Sequence, residues 1–415
     1  MKFTQILFKQ HLDRMFKRIW HVKRNRNIRI LNAEEYLSTL GFKVKDPLEI
    51  VKPKQIFPRI PQHELPPLNV IFNETHPDWK VKACLTFKDH NVLQQGLSQA
   101  QILTNTVCLS ESSSSHIANL LPDLPENIDD IVKRAVYASN IFDAHQEKLP
   151  KRKDPNRPAW VFPRDYGITN ARKMQNMSRK FVQLCESLSG TDIAQKRCVL
   201  YDAVTKIDWD KESDLFQFTL RSDVMIMSLN SLKPIESSID NIKIDLPNIY
   251  PMHHTVSFDE TNFYKIGDIY PVSTTSPWIN IHTIFVHYDP EEVKNLTELA
   301  VREDQIFGRA MLKSYTVAVS CARQRFGLFV KKLPEPVTVQ CIHTDGKHYH
   351  FFIYQLNSLD TNDNSTKNFW CTLPPLRLFR QAQYDNGRPV IEDYNPEVFR
   401  RILAFYRNGS SSDKA

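Results

Sequence analysis

Residues 336–357 hold the pattern that most restricts the fold. Val337, Val339, Cys341 and His343 alternate with Thr338, Gln340 and Ile342; after Asp345-Gly346, Tyr349, Phe351 and Ile353 alternate with His350, Phe352 and Tyr354. The arms are rich in β-branched and aromatic residues. The glycine between them tolerates the positive φ that a tight reversal demands, so the stretch reads as a β-hairpin. Its second arm is apolar on both faces, as in a strand packed on each side. One cover lies near in sequence. Phe307, Met311, Ser314, Ala318, Cys321 and Ala322 recur at helical spacing over Asp304–Arg325, and Gly327 closes the pattern. Small residues there allow close approach.

The rest of the chain places this hairpin in an α+β fold: a mixed sheet with a C-terminal β-hairpin packed by helices, preceded by an extended Pro-rich N-terminal arm. Residues 1–30 form one segment and 31–85 the arm, with seven prolines between Pro47 and Pro77. Such proline density forbids helix and favours polyproline-like chain. Residues 86–195 read as mainly helical, with helices near His90–Thr104, Glu126–Gln146 and Asn170–Leu188 and a Ser-rich loop at Ser110–Ser115. Residues 196–409 read as α+β. Arg197–Asp208 and Asp214–Arg221 pair across a polar turn, 233–280 is irregular with short strands near Ile281–His287, and a last helix spans 396–408. Asn395 suits its N-cap and Pro396 its first turn. Residues 410–415 form a polar tail.

Composition excludes several functions. The chain has ten glycines in 415 residues, against a norm of roughly 7%. The closest pairs, Gly308 with Gly327 and Gly327 with Gly346, are 19 apart, so neither a P-loop nor a G-x-G-x-x-G turn is present. Seven scattered cysteines without a C-x-x-C point to a reducing interior. Residues 1–30 carry nine Lys/Arg and one acid, a net of +8, so against the total of +7 the remainder sums to −1. In that basic segment Phe8, Leu12, Met15, Phe16, Ile19 and Trp20 share one side of a helical wheel, which reads as a mitochondrial transit peptide. The alternative is a basic arm lying on RNA or an anionic membrane.

Residues 148–164 are basic, aromatic and proline-stiffened. Lys151, Arg152, Lys153 and Arg157 can neutralise phosphates on chain that Pro150, Pro155 and Pro158 keep extended, and Trp160 can stack on an unpaired base. This is the candidate RNA contact; a solvated loop whose aromatics return to the core is the alternative. The second half holds His253, His254, His282, His287, His343, His348 and His350, but none at the spacing of H-E-x-x-H. There is no G-x-S-x-G elbow and no carboxylate pair on a shared face. No catalytic residue, cofactor or metal is indicated locally, although a triad assembled from distant residues would be invisible.

His343-Thr344-Asp345-Gly346-Lys347, His350-Phe351 and Gln355-Leu356-Asn357 resemble the signature of the family of mitochondrial large-ribosomal-subunit protein thirty-seven. So do Phe369-Trp370-Cys371, Pro396 to Arg400, and Leu403 to Tyr406, with weaker matches at Leu149–Arg152, Gln183–Cys185, Arg197-Cys198 and Tyr250-Pro251. The resemblance covers about residues 85–409. It implies a non-enzymatic, structural component of that subunit in the mitochondrial matrix. The implied partners are large-subunit rRNA and neighbouring ribosomal proteins, including a related sister protein. The alternatives are a matrix enzyme built on the histidine-rich second half and an RNA-binding assembly factor that only visits the ribosome.

Overall fold

The computed structural model describes residues 33–45, 83–87, 89–109, 121, 124–151, 154, 156–157, 159–236, 245–262, 268–296, 299–363 and 365–410. The chain divides into two units, Met1–Val70 and Ile71–Ala415. The described part of the first unit holds one helix, α1 (Ala33–Thr39). That corrects the extended reading of 31–85 at this point: the prolines begin only at Pro47, so nothing breaks a turn before it. The basic segment 1–30, most of the Pro-rich arm, the Ser110–Ser115 loop and residues 411–415 lie outside the described residues.

The second unit is built on one mixed ten-stranded sheet. Its members are β1 (Ala83–Phe87), β2 (Thr106–Leu109), β5 (Arg197–Lys211), β6 (Asp214–Ser228), β7 (Asp259–Asn262), β8 (Asn280–His287), β9 (Lys332–Thr344), β10 (His348–Ser358), β11 (Asn368–Thr372) and β12 (Leu376–Arg377). The order is β2-β11-β10-β9-β8-β6-β1-β7, with β5 paired to β6 and β12 to β10. Because β1 and β2 belong to this sheet, the regions drawn at 86–195 and 196–409 fold as one unit. Two small ribbons accompany it, β3 (Glu147–Lys148) with β4 (Tyr166–Gly167) and β13 (Gln381–Asp385) with β14 (Arg388–Glu392).

The hairpin at 336–357 is the antiparallel pair β9–β10, and it is internal: β8 runs parallel to β9 on one side and β11 antiparallel to β10 on the other. Asp345 fixes the reversal. Its Oδ1 accepts from the amides of Lys347 (2.8 Å) and His348 (2.6 Å), and Gly346 takes φ +90°. Alternation along β10 sends its side chains into two separate cores. Phe352, Tyr354 and Leu356 join α2 (Gly96–Thr104) and α6 (Glu303–Phe326) on one face. Tyr349, Phe351 and Ile353 join α3 (Ile128–Asn140), α4 (Asn170–Ser189) and α7 (Glu397–Arg407) on the other. A short helix, α5 (Thr191–Ala194), links α4 to β5.

Three element readings change. The helix drawn from His90 begins only at Gly96, because Asn91 bridges to Lys294 and Gly96 sits at φ +51°. The helix over Glu126–Gln146 stops at Asn140, and beyond it Asp143 turns to receive Arg172 and Asn176 from α4. The short strands near Ile281–His287 are one central strand, β8, buried at every position. At the start of α7 the N-cap position falls to Pro396, one residue later than expected, while Asn395 Oδ1 accepts the Glu397 amide at 3.0 Å. The far end of α7 is buried, and its carbonyls need donors. Gln340 Nε2 donates to Phe405 O (2.9 Å) and Arg197 donates to Asn408 O (2.7 Å).

Candidate nucleic-acid interface

The β3–β4 ribbon closes the base of the 148–164 segment. Glu147 pairs with Gly167 and Lys148 with Tyr166, and the Leu149 amide donates to Asp165 O at 2.8 Å. Beyond that base the chain is turned rather than extended. Arg157 N donates to Asp154 O (3.0 Å) and Trp160 N to Arg157 O (3.1 Å), two successive turns.

The turns bring the Arg157 guanidinium over the Trp160 ring, 4.6 Å from its centroid. Trp160 is 60% exposed and Val161 79%, while Phe162 is half-buried 6.2 Å from Trp160. Lys151 and Arg157 are exposed; Arg152 and Lys153 lie outside the described residues. Two cations not singled out from the sequence, Lys148 and Arg164, are exposed on the same loop. An arginine stacked on one face of an exposed indole leaves the other face for an unpaired base.

Two arginines of α4 serve the fold instead. Arg172 makes a bidentate pair with Asp143 (2.5 and 3.0 Å), which holds that carboxyl well below its usual range. Arg179 stacks on Tyr201 at 4.6 Å, and burial beside Lys347 lowers Lys173.

The histidines of the second half do not share one site. His343 is 1% exposed, with both ring nitrogens unpartnered among the described residues, and burial lowers it well below the ordinary imidazole range. His348 Nδ1 donates to the Asp345 carboxylate in the turn, and His350 packs on Phe307 and Phe352. One constellation has the shape of a hydrolytic triad. Ser178 Oγ lies 2.8 Å from His287 Nε2, and His287 Nδ1 lies 3.4 Å from Asp223 Oδ1. Ser178, however, is 1% exposed in the middle of α4, where the backbone amides are spent on the helix and form no oxyanion hole. Burial lowers His287 against the pull of Asp223; burial raises Asp223, but His287 and Lys313 outweigh it and hold the carboxyl low. The group reads as a buried polar network. A cavity of about 380 Å³ adjoins it, but its walls carry four Lys/Arg and five Asp/Glu, so it offers no cationic excess to an anion.

Comparison with known proteins sets this arrangement in context. The C-terminal part comes first: residues 310–410 match a family model described as Mitochondrial 28S ribosomal protein S30 (PDCD9), a class of mitochondrial ribosomal protein. Longer matches follow. The chain is 26% identical over 375 residues to "Large ribosomal subunit protein mL37" of Bos taurus, covering 83% of this chain and 79% of that protein. It is 26% identical to the Mus musculus protein of the same name (80% and 76% covered) and 22% to that of Gallus gallus (81% and 77%). Over about four fifths of its length the chain is thus similar to proteins named as large-subunit mL37.

Proposed function

We propose that this chain is a structural component of the mitochondrial large ribosomal subunit, working in the matrix without catalysis of its own. The supporting observation is the run of relatives named as large-subunit proteins, each aligned over about four fifths of the chain. The family-model description names a 28S protein, but that match spans only residues 310–410, so the longer alignments decide between subunits. A body whose net charge is −1 outside residues 1–30 suits a protein held chiefly by protein neighbours, a related sister protein among them, with rRNA met locally. The local contact is the loop carrying Lys151, Arg152, Lys153, Arg157 and Trp160. Residues 1–30 act as the transit peptide, and a chain lacking them is expected to stay in the cytosol when its distribution is followed by fractionation.

Sedimentation tests the main reading. The chain should travel with the large subunit, not the small, and remain there through a high-salt wash; release at the first wash would favour the visiting assembly factor. In a second arm, Lys151, Arg152, Lys153 and Arg157 are all changed to Gln. Every phosphate left without its cation weakens binding and flattens its salt dependence, so the variant should leave the subunit at lower salt than wild type. A stable subunit component with an unchanged salt profile would retain the ribosomal reading and remove the loop from the rRNA.

A further inference from the structure

The turn between β5 and β6 carries Glu212, and the irregular chain before β7 carries His253 and His254. A carboxylate oxygen of Glu212 and one ring nitrogen of each histidine lie within 4.8 Å of one another. From this juxtaposition we infer a divalent-metal site of the zinc class that ties the β5–β6 turn to the segment around His254.

The donor set suits that class. Two imidazoles and one carboxylate form a three-ligand zinc set, with water completing four-coordination. Imidazole favours zinc and its transition-metal neighbours over magnesium or calcium. His254 supplies the second, independent observation. It is 5% exposed, yet its Nε2 has no hydrogen-bond partner among the described residues. A buried imidazole left unpaired carries a desolvation cost that coordination would offset.

The ligands are also positioned beforehand. The His254 ring lies 4.1 Å from that of His253 and 6.1 Å from Phe216. Gln99 Nε2 donates to the carbonyls of His254 (2.8 Å) and Val256 (2.5 Å), pinning the segment to α2. Thr255 Oγ1 sits 2.8 Å from His253 Nδ1, which orients that ring and leaves Nε2 for a metal. On the other side the Glu212 amide donates to Asn362 Oδ1 at 3.0 Å, holding a residue whose φ of +57° is uncommon outside glycine. The adjacent cation, Lys211, is engaged elsewhere: its Nζ donates to Thr361 O at 3.0 Å.

The test uses the full chain, stripped with chelator and titrated with Zn²⁺, then with Co²⁺ as a visible probe of geometry. One tightly retained zinc per chain is expected, with a tetrahedral cobalt spectrum and a rise in Tm on zinc addition. Glu212 is exposed, so Glu212→Gln should fold as wild type, bind zinc at least tenfold more weakly and lose the Tm response. His254→Gln, checked for folding by circular dichroism, should lose the cobalt spectrum. Absence of retained zinc, or equal affinity in wild type and Glu212→Gln, would overturn the site.

Discussion

Gly308→Ala is expected to destabilise the fold by about 2–3 kcal/mol. In an open helix the same change gains roughly 1 kcal/mol, because glycine gives up more backbone freedom than alanine. Here the sign reverses. A Cβ on Gly308 would lie 2.6 Å from the carbonyl carbon and oxygen of Gly96, where α6 crosses α2. The obstacle is backbone, which cannot swing aside like the end of a side chain, so the helices must part and overpacking dominates. Gly96 cannot yield the space: it holds φ +51°, and a Cβ there would stand 2.5 Å from Asp304 Oδ2. Urea unfolding measures the effect; a variant as stable as wild type would show that the crossing has slack.

Acid should weaken the fold through its buried histidines. His282 and His343 are fully buried, and burial drives both well below the ordinary imidazole value. Arg197 adds to the effect on His282, and Arg309 and His350 to that on His343. In the unfolded chain each titrates near 6.5. Above that value neither state takes up the proton and their stability contribution is intact. Below it the unfolded chain binds protons that the folded one refuses, so stability is lost as pH falls. The slope approaches about 1.4 kcal/mol per pH unit for each histidine, or roughly 2–3 kcal/mol for the pair between pH 6 and 5. His287, also lowered by burial, acts in the same direction. His343→Gln should remove about one proton's worth of slope. Equal slopes for this variant and wild type, from urea midpoints across that range, would refute the assignment to His343.

What is legible in the sequence depends on the range of the interaction. The β9–β10 hairpin is legible because its signals are local: alternation, a reversal at Asp345-Gly346 and apolar residues on both faces. Asn395 before Pro396 marks the start of α7 for the same reason. The centrality of β8 is not legible, since a strand of eight residues says nothing about which neighbours take its two edges. Composition finds the candidate RNA loop but not its shape: prolines serve turns as readily as extended chain, and only the hydrogen bonds from Arg157 and Trp160 distinguish the two. The Ser178–His287–Asp223 network and the Glu212–His253–His254 cluster are out of its reach. Each joins residues from elements far apart in the chain, and no spacing rule applies to side chains brought together only by the tertiary fold.

The first two strands of the sheet in chain order have a kinetic consequence. β2 runs parallel to β11, and Lys367 reaches back to Asn105 across 262 positions; β1 likewise waits for β6. Synthesis delivers β1 and β2 first, yet the seat of β2 exists only once residues 368–371 have emerged. Closing so long a loop carries a large entropic cost before any contact repays it, so a topology of this kind folds slowly and late. During that interval the apolar strand Thr106–Leu109 stands with both edges unpaired, a condition that favours aggregation. Any truncation that removes residues 368–371 makes the interval permanent, leaving β2 without its backbone partner however intact the remaining sheet.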